Sequence, residues 1–139
     1  MIEGSVLHPV PRGMLETPQM SSLGRYLDVL SFRDQLIASN LANIDTPGYQ
    51  TLDINFRQEL DQARMEPDQE GEGMQETSFA PVVHPVLGLM QRPDGNNVSM
   101  ERESLLLAET QLRYNTGVQL LRAEFHRMES AIQGGNTQS

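Results

Sequence analysis

Asn40-Leu41-Ala42-Asn43-Ile44-Asp45-Thr46-Pro47-Gly48-Tyr49 decides how this chain folds, because an apolar-periodic segment runs into it from upstream and cannot continue through it. Thr46 precedes a proline whose ring keeps it out of the α region, so an incoming helix has to stop by about Asp45. Pro47 and Gly48 fit the two central positions of a type II turn. Proline fixes φ at the first, glycine supplies the positive φ of the second, and Thr46 and Tyr49 become the flanks. The stretch reads as a helix stop and a reversal of the chain.

Upstream, Met20, Leu23, Leu27, Leu30, Asp34, Ile37, Leu41 and Ile44 step by threes and fours, and Asp34 alone among them is polar. This is a heptad seam. It predicts a helix from about Ser21 to Asn43, roughly 35 Å long at ~1.5 Å per residue. Val29, Phe32 and Leu36 form a second stripe about 100° around the same helix, which therefore has two faces to bury. Downstream, Leu52, Ile54 and Phe56 alternate with Thr51, Asp53 and Asn55, the period of an extended segment. Phe56 to Met65 reads as a short helix.

The second long segment begins at Ser99, a residue able to cap a helix by accepting from the exposed N–H groups of the first turn. Glu101 and Glu103 follow where the helix dipole favours negative charge. The seam of this segment runs Met100, Ser104, Leu107, Gln111, Tyr114, Val118, Leu121, Phe125, Met128 and Ile132, predicting a helix from about Met100 to Gln133, roughly 50 Å long. Gly134 and Gly135 are its expected stop. Between the two seams, residues 66–97 hold four prolines and four glycines, which rules against a long helix there, while Val82, Val83, Val86, Leu87 and Leu89 read as a short extended piece.

These elements predict a mainly α fold: two long terminal helices paired as an antiparallel coiled-coil-like hairpin, with an irregular, short-strand central region. The expected divisions are a flexible arm at 1–19, rich in proline and glycine; helix, turn and extended segment at 20–62; an acidic loop at 63–97; and the C-terminal helix and tail at 98–139. Two helices enclose no core, so their extra apolar stripes mark an interaction surface. The residues describe an assembly subunit.

Composition agrees. Only 5% of the 139 residues are aromatic, none is tryptophan, and cysteine is absent, which removes disulfides and thiolate metal sites. All ten basic residues are arginine. The net charge of −9 argues against nucleic acid and anionic membrane surfaces. Two-thirds of that excess lies between Glu59 and Glu76, where seven acidic residues face Arg64 alone. No basic start followed by an apolar run marks a secretory leader, and no apolar run approaches the length of a membrane span.

The run Ser39 to Tyr49 resembles the N-terminal signature of bacterial flagellar rod, hook and hook-associated axial proteins. Its continuation, Gln50-Thr51-Leu52-Asp53-Ile54-Asn55-Phe56-Arg57-Gln58-Glu59-Leu60, is similar to the proximal-rod type of basal body rod protein, in which an Asp and a Phe three positions later follow the turn; Asp53 and Phe56 fit. Asp94-Gly95-Asn96-Asn97-Val98 ahead of a leucine-rich helix resembles the C-terminal signature of the same family. Gln50 stands where a basic residue is common, and Ser99 where an aspartate is. The resemblance covers about residues 21–62 and 93–133.

What the resemblance implies is a structural subunit of the proximal rod, carrying rotation from the membrane ring toward the hook. It implies a place in the flagellar basal body as part of the periplasmic rod, reached through the flagellar export apparatus without a cleaved signal. Partners would be copies of itself, other rod proteins, and the membrane-ring and ring–rod junction proteins, with no direct membrane insertion. The signature turn would comprise Asn40, Ala42, Asn43, Thr46, Pro47, Gly48, Tyr49, Asp53 and Phe56. The helix seams, Leu23, Leu27, Leu30, Ile37, Leu41 and Ile44 with Leu107, Tyr114, Val118, Leu121, Phe125, Met128 and Ile132, would supply the subunit interface.

No catalytic, cofactor or metal site is expected. His8, His84 and His126 have no companions at metal spacing, the acidic stretch lacks calcium-loop spacing, and no nucleophile elbow or phosphate loop is present. Asp34 and Gln111 either specify register as buried polar groups or face solvent through a small shift of helix phase. The competing reading is a secretion chaperone or export adaptor, also small, acidic and helical, which would not need the Thr-Pro-Gly-Tyr turn.

Overall fold

The computed structural model describes residues 17–65 and 80–134; residues 1–16 of the arm expected at 1–19, most of the acidic run and the tail from Gly135 lie outside them. Five elements follow in order: α1 (Pro18–Ala42), β1 (Leu52–Ile54), α2 (Phe56–Met65), β2 (Val83–Pro85) and α3 (Met100–Gly134).

Helix α1 begins earlier than its apolar pattern. Thr17 is the N-cap, with its hydroxyl accepting from Met20 N at 3.3 Å, and Pro18 occupies the first turn, where its missing N–H would have had no helical partner anyway. A proline read from sequence as a breaker is thus a helix start. At the other end Asn43 closes the helix, its N–H donating to Ser39 O and Asn40 O, both at 3.1 Å. Asn55 starts α2 by accepting from Gln58 N at 3.3 Å. Ser99 caps α3 as its chemistry predicts, with Oγ accepting from Arg102 N at 3.3 Å.

The helices α1 and α3 run antiparallel. Asn40 meets Glu103 near one end, and a Cβ placed on Gly117 would lie 2.8 Å from Leu27 Cδ2 nearer the other. That register sets Pro18 opposite about residue 125, so the last nine or so residues of α3, ~14 Å of helix, extend past the partner. Residues 129–134 are all exposed. Strands β1 and β2 pair antiparallel with Leu52 opposite Pro85, Asp53 opposite His84 and Ile54 opposite Val83. Strand β1 and α2 pack against α1 on a face away from α3. Hence Leu30 and Ile37 of the first stripe and Val29 of the second are all buried, joined by Met20, Ile54 and Val98. No helix among the described residues is long and apolar enough to cross a membrane.

Candidate functional site

The turn after α1 has the expected geometry. Gly48 takes φ +74° and Tyr49 N donates to Thr46 O at 3.2 Å, the bond that closes a type II turn. Just before it, Asn43 Nδ2 reaches back to Ser39 O at 2.8 Å, and its Oδ1 accepts from the Thr46 hydroxyl at 3.2 Å. Thr46, Pro47 and Gly48 remain exposed, as does Ala42 on the last turn of the helix.

Residues from the far side of the chain clamp this turn. The side-chain amide of Asn96, a fully buried residue, donates to Asn43 O at 3.0 Å and Thr46 O at 2.8 Å, adding a second donor to carbonyls just past the end of α1 that also take the N–H groups of Thr46 and Tyr49. Its Oδ1 accepts from Val98 N at 2.8 Å. Gly48 N donates to Asp94 O at 2.8 Å, and a Cβ on Gly95 would lie 3.4 Å from Gly48 Cα. Gly95 itself has φ +83°, so two positive-φ glycines face each other backbone to backbone. Asn97 Oδ1 takes the N–H of buried Thr51 at 2.7 Å while its amide donates to Gln50 Oε1 at 3.0 Å. Gln50 also donates to Gly95 O at 2.8 Å. A neutral amide at position 50 therefore gives and accepts within the clamp. Arg92 adds a hydrogen bond to Ile44 O.

One turn deeper, Asn40 uses every valence of its amide. Nδ2 donates to Leu52 O at 2.8 Å and Glu103 Oε2 at 2.9 Å; Oδ1 accepts from Leu52 N at 3.0 Å and from the Tyr49 hydroxyl at 3.1 Å. An amide has two donors and two good acceptor directions, so nothing is left over. Glu103 is fully buried, with Arg102 donating to its other oxygen. Asp53 in β1 accepts from Arg33 Nε at 3.0 Å and Nη2 at 2.9 Å, a bidentate pair, and from Arg102 Nη2 at 3.3 Å. Burial alone would push the Asp53 carboxyl up, but the Arg33 hydrogen bond, the Ile54 N–H and the charges of Arg33 and Arg102 together hold it below the usual carboxylate range. The same hydrogen bond raises Arg33. Phe56 opens α2 edge-on to Tyr26, with ring centroids 5.7 Å apart, under the Arg113 guanidinium.

Of the α1 seam, Leu30 and Ile37 are buried and Leu23, Leu27, Leu41 and Ile44 half-buried. On α3 the buried column is Glu103, Thr110 and Gly117. Leu107, Tyr114 and Leu121 of the sequence-read seam each lie four residues beyond a member of that column, about 40° farther round the helix. They form a flank in which Leu107, Val118, Leu121 and Met128 are half-buried while Tyr114, Phe125 and Ile132 are exposed. Gln111 faces solvent, in keeping with the shifted phase, whereas Asp34 is half-buried. The column escaped an apolar pattern search because its members are an acid, a threonine and a glycine; the seven-residue spacing was the available signal. Asn96, Asn97, Arg33 and Arg102 likewise carry no periodicity, since each bonds a segment remote in sequence.

Among the described residues no group of three or more His, Cys, Asp or Glu is placed to hold a metal. Every close polar contact at the junction serves the backbone or another side chain.

The profile of the "Flagella basal body rod protein" family matches residues 36–50, the end of α1 and the turn. The chain is 33% identical over 123 residues to the flagellar basal body rod protein FlgB of Salmonella typhimurium strain LT2, covering 79% of this chain and 89% of that one. FlgB of Aeromonas hydrophila is 34% identical over 119 residues, covering 78% and 87%. FlgB of Escherichia coli K12 is 30% identical over 124 residues, covering 79% and 89%.

Proposed function

Because the chain belongs to the FlgB family of flagellar basal body rod proteins, and is a structural subunit of that rod, we propose that it carries torque from the membrane ring toward the hook through packed helices, with no chemistry at any residue. The observation that supports this reading is the clamp. Asn96 and Gly95 lock the end of α1 to the segment leading into α3, so a load on one long helix reaches the other through hydrogen bonds and close backbone contact. An apolar flank left open on α3 supplies surface for neighbouring subunits.

As a rod protein it assembles with other rod components in the flagellar basal body. Within that assembly, residues 20–133 act as one axial domain contacting copies of itself and ring–rod junction proteins, and the chain arrives through the export apparatus without loss of a leader. None of the observations favours an export chaperone. Deleting the gene in its host tests the reading: basal bodies seen by electron microscopy should keep their membrane rings and lack the rod, and soft-agar motility should be lost. Intact rods in that strain would overturn it. N-terminal sequencing of the protein from purified basal bodies tests the export route, and a trimmed terminus would count against it.

A further inference from the structure

A groove of about 270 Å³ is lined by all three helices, with Leu23 and Tyr26 of α1, Leu60 of α2 and Leu120 of α3 as its apolar walls, completed by buried Gly117 and exposed Thr116. Leu120 is 53% exposed there. Arg113, Thr116 and Leu120 fall on one side of the buried column of α3, and Tyr114, Val118 and Leu121 on the other. The groove is therefore separate from the flank to which those last three residues belong. One end of it opens beside the start of α1. The described chain begins at Thr17, and Ser22, which also lines the groove, is five residues on, about 8 Å along the helix axis.

Ahead of Thr17 stand residues 1–16, which include Val6-Leu7-His8-Pro9-Val10-Pro11, a run in which only His8 is polar. The two prolines favour extended, polyproline II backbone for themselves and for the residues before them, His8 and Val10. That conformation turns once in three residues and rises about 3.1 Å per residue, so Leu7 and Val10 share a side, about 9 Å apart. The α3 edge of the groove, from Arg113 to Leu120, is about 10 Å long. The five residues from Arg12 to Glu16 span up to about 17 Å when extended, more than the step from Thr17 to Ser22 requires, and Gly13 gives them a point at which to reverse direction. We propose that the groove receives this chain's own N-terminal arm, with residues 6–11 lying along it, Val10 against Leu23 and Leu120 and Leu7 against Tyr26 and Leu60. A proline-fixed segment has little conformational freedom left to lose on docking, and an aromatic side chain such as that of Tyr26 is the kind of wall it favours. The short tether holds the arm at a millimolar local concentration, so its own groove fills before that of a second copy. Docked, the arm covers Leu120 and pins the start of α1 to α3, at the opposite end of α1 from the Asn96 clamp.

The chain has no cysteine, so introduced pairs report the contact alone. In the full-length protein, with Thr116→Cys held constant, cysteine is placed in turn at Ser5, Val6, Leu7, His8, Val10 and Arg12, and the rate of disulfide closure within one chain is measured at low protein concentration. Leu7→Cys and Val10→Cys should close several-fold faster than the other four, the period of three that a docked segment imposes. Rates without that period overturn the proposal, because a tethered arm that never docks gives them too. Disulfide-linked dimers as the main product would assign the groove to the arm of a second copy and overturn it equally. Leu120→Asp alters an exposed wall residue, and circular dichroism checks that the helices remain formed. In that background positions 7 and 10 should slow to the rate of the others; a period that survives the change would place the arm elsewhere and sink the proposal. None of these outcomes bears on the rod reading, which the deletion strain tests.

Discussion

Asn40 donates to the Glu103 carboxylate at 2.9 Å across 63 positions of sequence, in a place where the two residues are 1% and 0% exposed. A buried charge is tolerable only when it is paired and hydrogen-bonded, and this one is held by Asn40 on one oxygen and Arg102 on the other. Since the Asn40 amide also ties down Tyr49 and both polar groups of Leu52, one side chain fastens α3, the turn and the strand to the end of α1. Asn40→Leu should therefore cost about 3 kcal/mol or more, read as a lower midpoint in urea, because it strands buried partners instead of removing them in pairs.

Acid should act through Asp53. Its pKa is lower folded than unfolded, so its stabilising contribution is complete above the unfolded value, near 3.9, and is lost as the pH falls through the folded one. Arg33 is raised from an already high value and adds no slope in the working range. Stability measured by urea titration between pH 2 and 6 should fall on the acid side of about 4. Asp53→Asn should flatten that limb and cost roughly 1–2 kcal/mol at neutral pH, where Arg33 loses its bidentate counter-charge and Arg102 keeps Glu103 alone.

The helix pair leaves no room for a side chain at Gly117, where an added Cβ would meet Leu27 Cδ2 at 2.8 Å and the Tyr26 ring at 3.4 Å. Gly117→Ile should force the helices apart and cost about 1–3 kcal/mol despite its better helix propensity. Gly24, on α1, has no atom within 4 Å of the same hypothetical Cβ. Gly24→Ala should instead raise stability by about 0.5–1 kcal/mol. Thermal melts of the two variants should shift in opposite directions, and equal shifts would remove the packing argument for Gly117.

The types of the elements and most of their ends were legible because they rest on local chemistry, the start of α1 at Pro18 being the exception. Ser99 caps α3, Phe56 to Met65 forms α2, and α1 ends at Ala42, inside the limit that Pro47 sets. What sequence could not supply was which residues meet across the fold. Asp94 to Asn97 was recognisable as a motif, yet nothing in it says that Asn96 will cap a helix ending at Asn43. The phase of α3 is offset for a related reason. A heptad pattern follows the apolar side chains, and here the buried positions of α3 are Gly117 and two polar residues, leaving the larger side chains on the adjacent flank.

Capping by Asn96 yields a prediction separable from the turn itself. Asn96→Ala removes two donors from the carbonyls of Asn43 and Thr46 and one acceptor from Val98 N. The two carbonyls keep the N–H groups of Thr46 and Tyr49 while the buried Val98 N–H is left without an acceptor, so a loss of about 1–3 kcal/mol is expected. Hydrogen exchange should locate it: the amides of Thr46 and Gly48 should lose protection before those in the middle of α1. Uniform loss along α1 would mean that Asn96 holds the fold as a whole and not the junction.

The turn carries the strongest functional expectation. Gly48 at φ +74° and Gly95 at φ +83° each occupy a conformation that costs an L-residue about 1–2 kcal/mol, and Gly95 in addition packs against Gly48 backbone, which cannot move aside as a side-chain tip would. Replacing Pro47 and Gly48 together with alanine removes the fixed φ at one position and strains the other. It leaves the two seams and the buried Asn40–Glu103 contact untouched. Cellular levels of that variant should stay near wild type, because the helix pair still buries its column, while the direction in which the chain leaves α1 is no longer set. If the angle of that junction is what neighbouring subunits recognise, rods should be missing from basal bodies and motility in soft agar lost. Normal swimming by the Pro47→Ala, Gly48→Ala strain would reduce the signature to a helix stop.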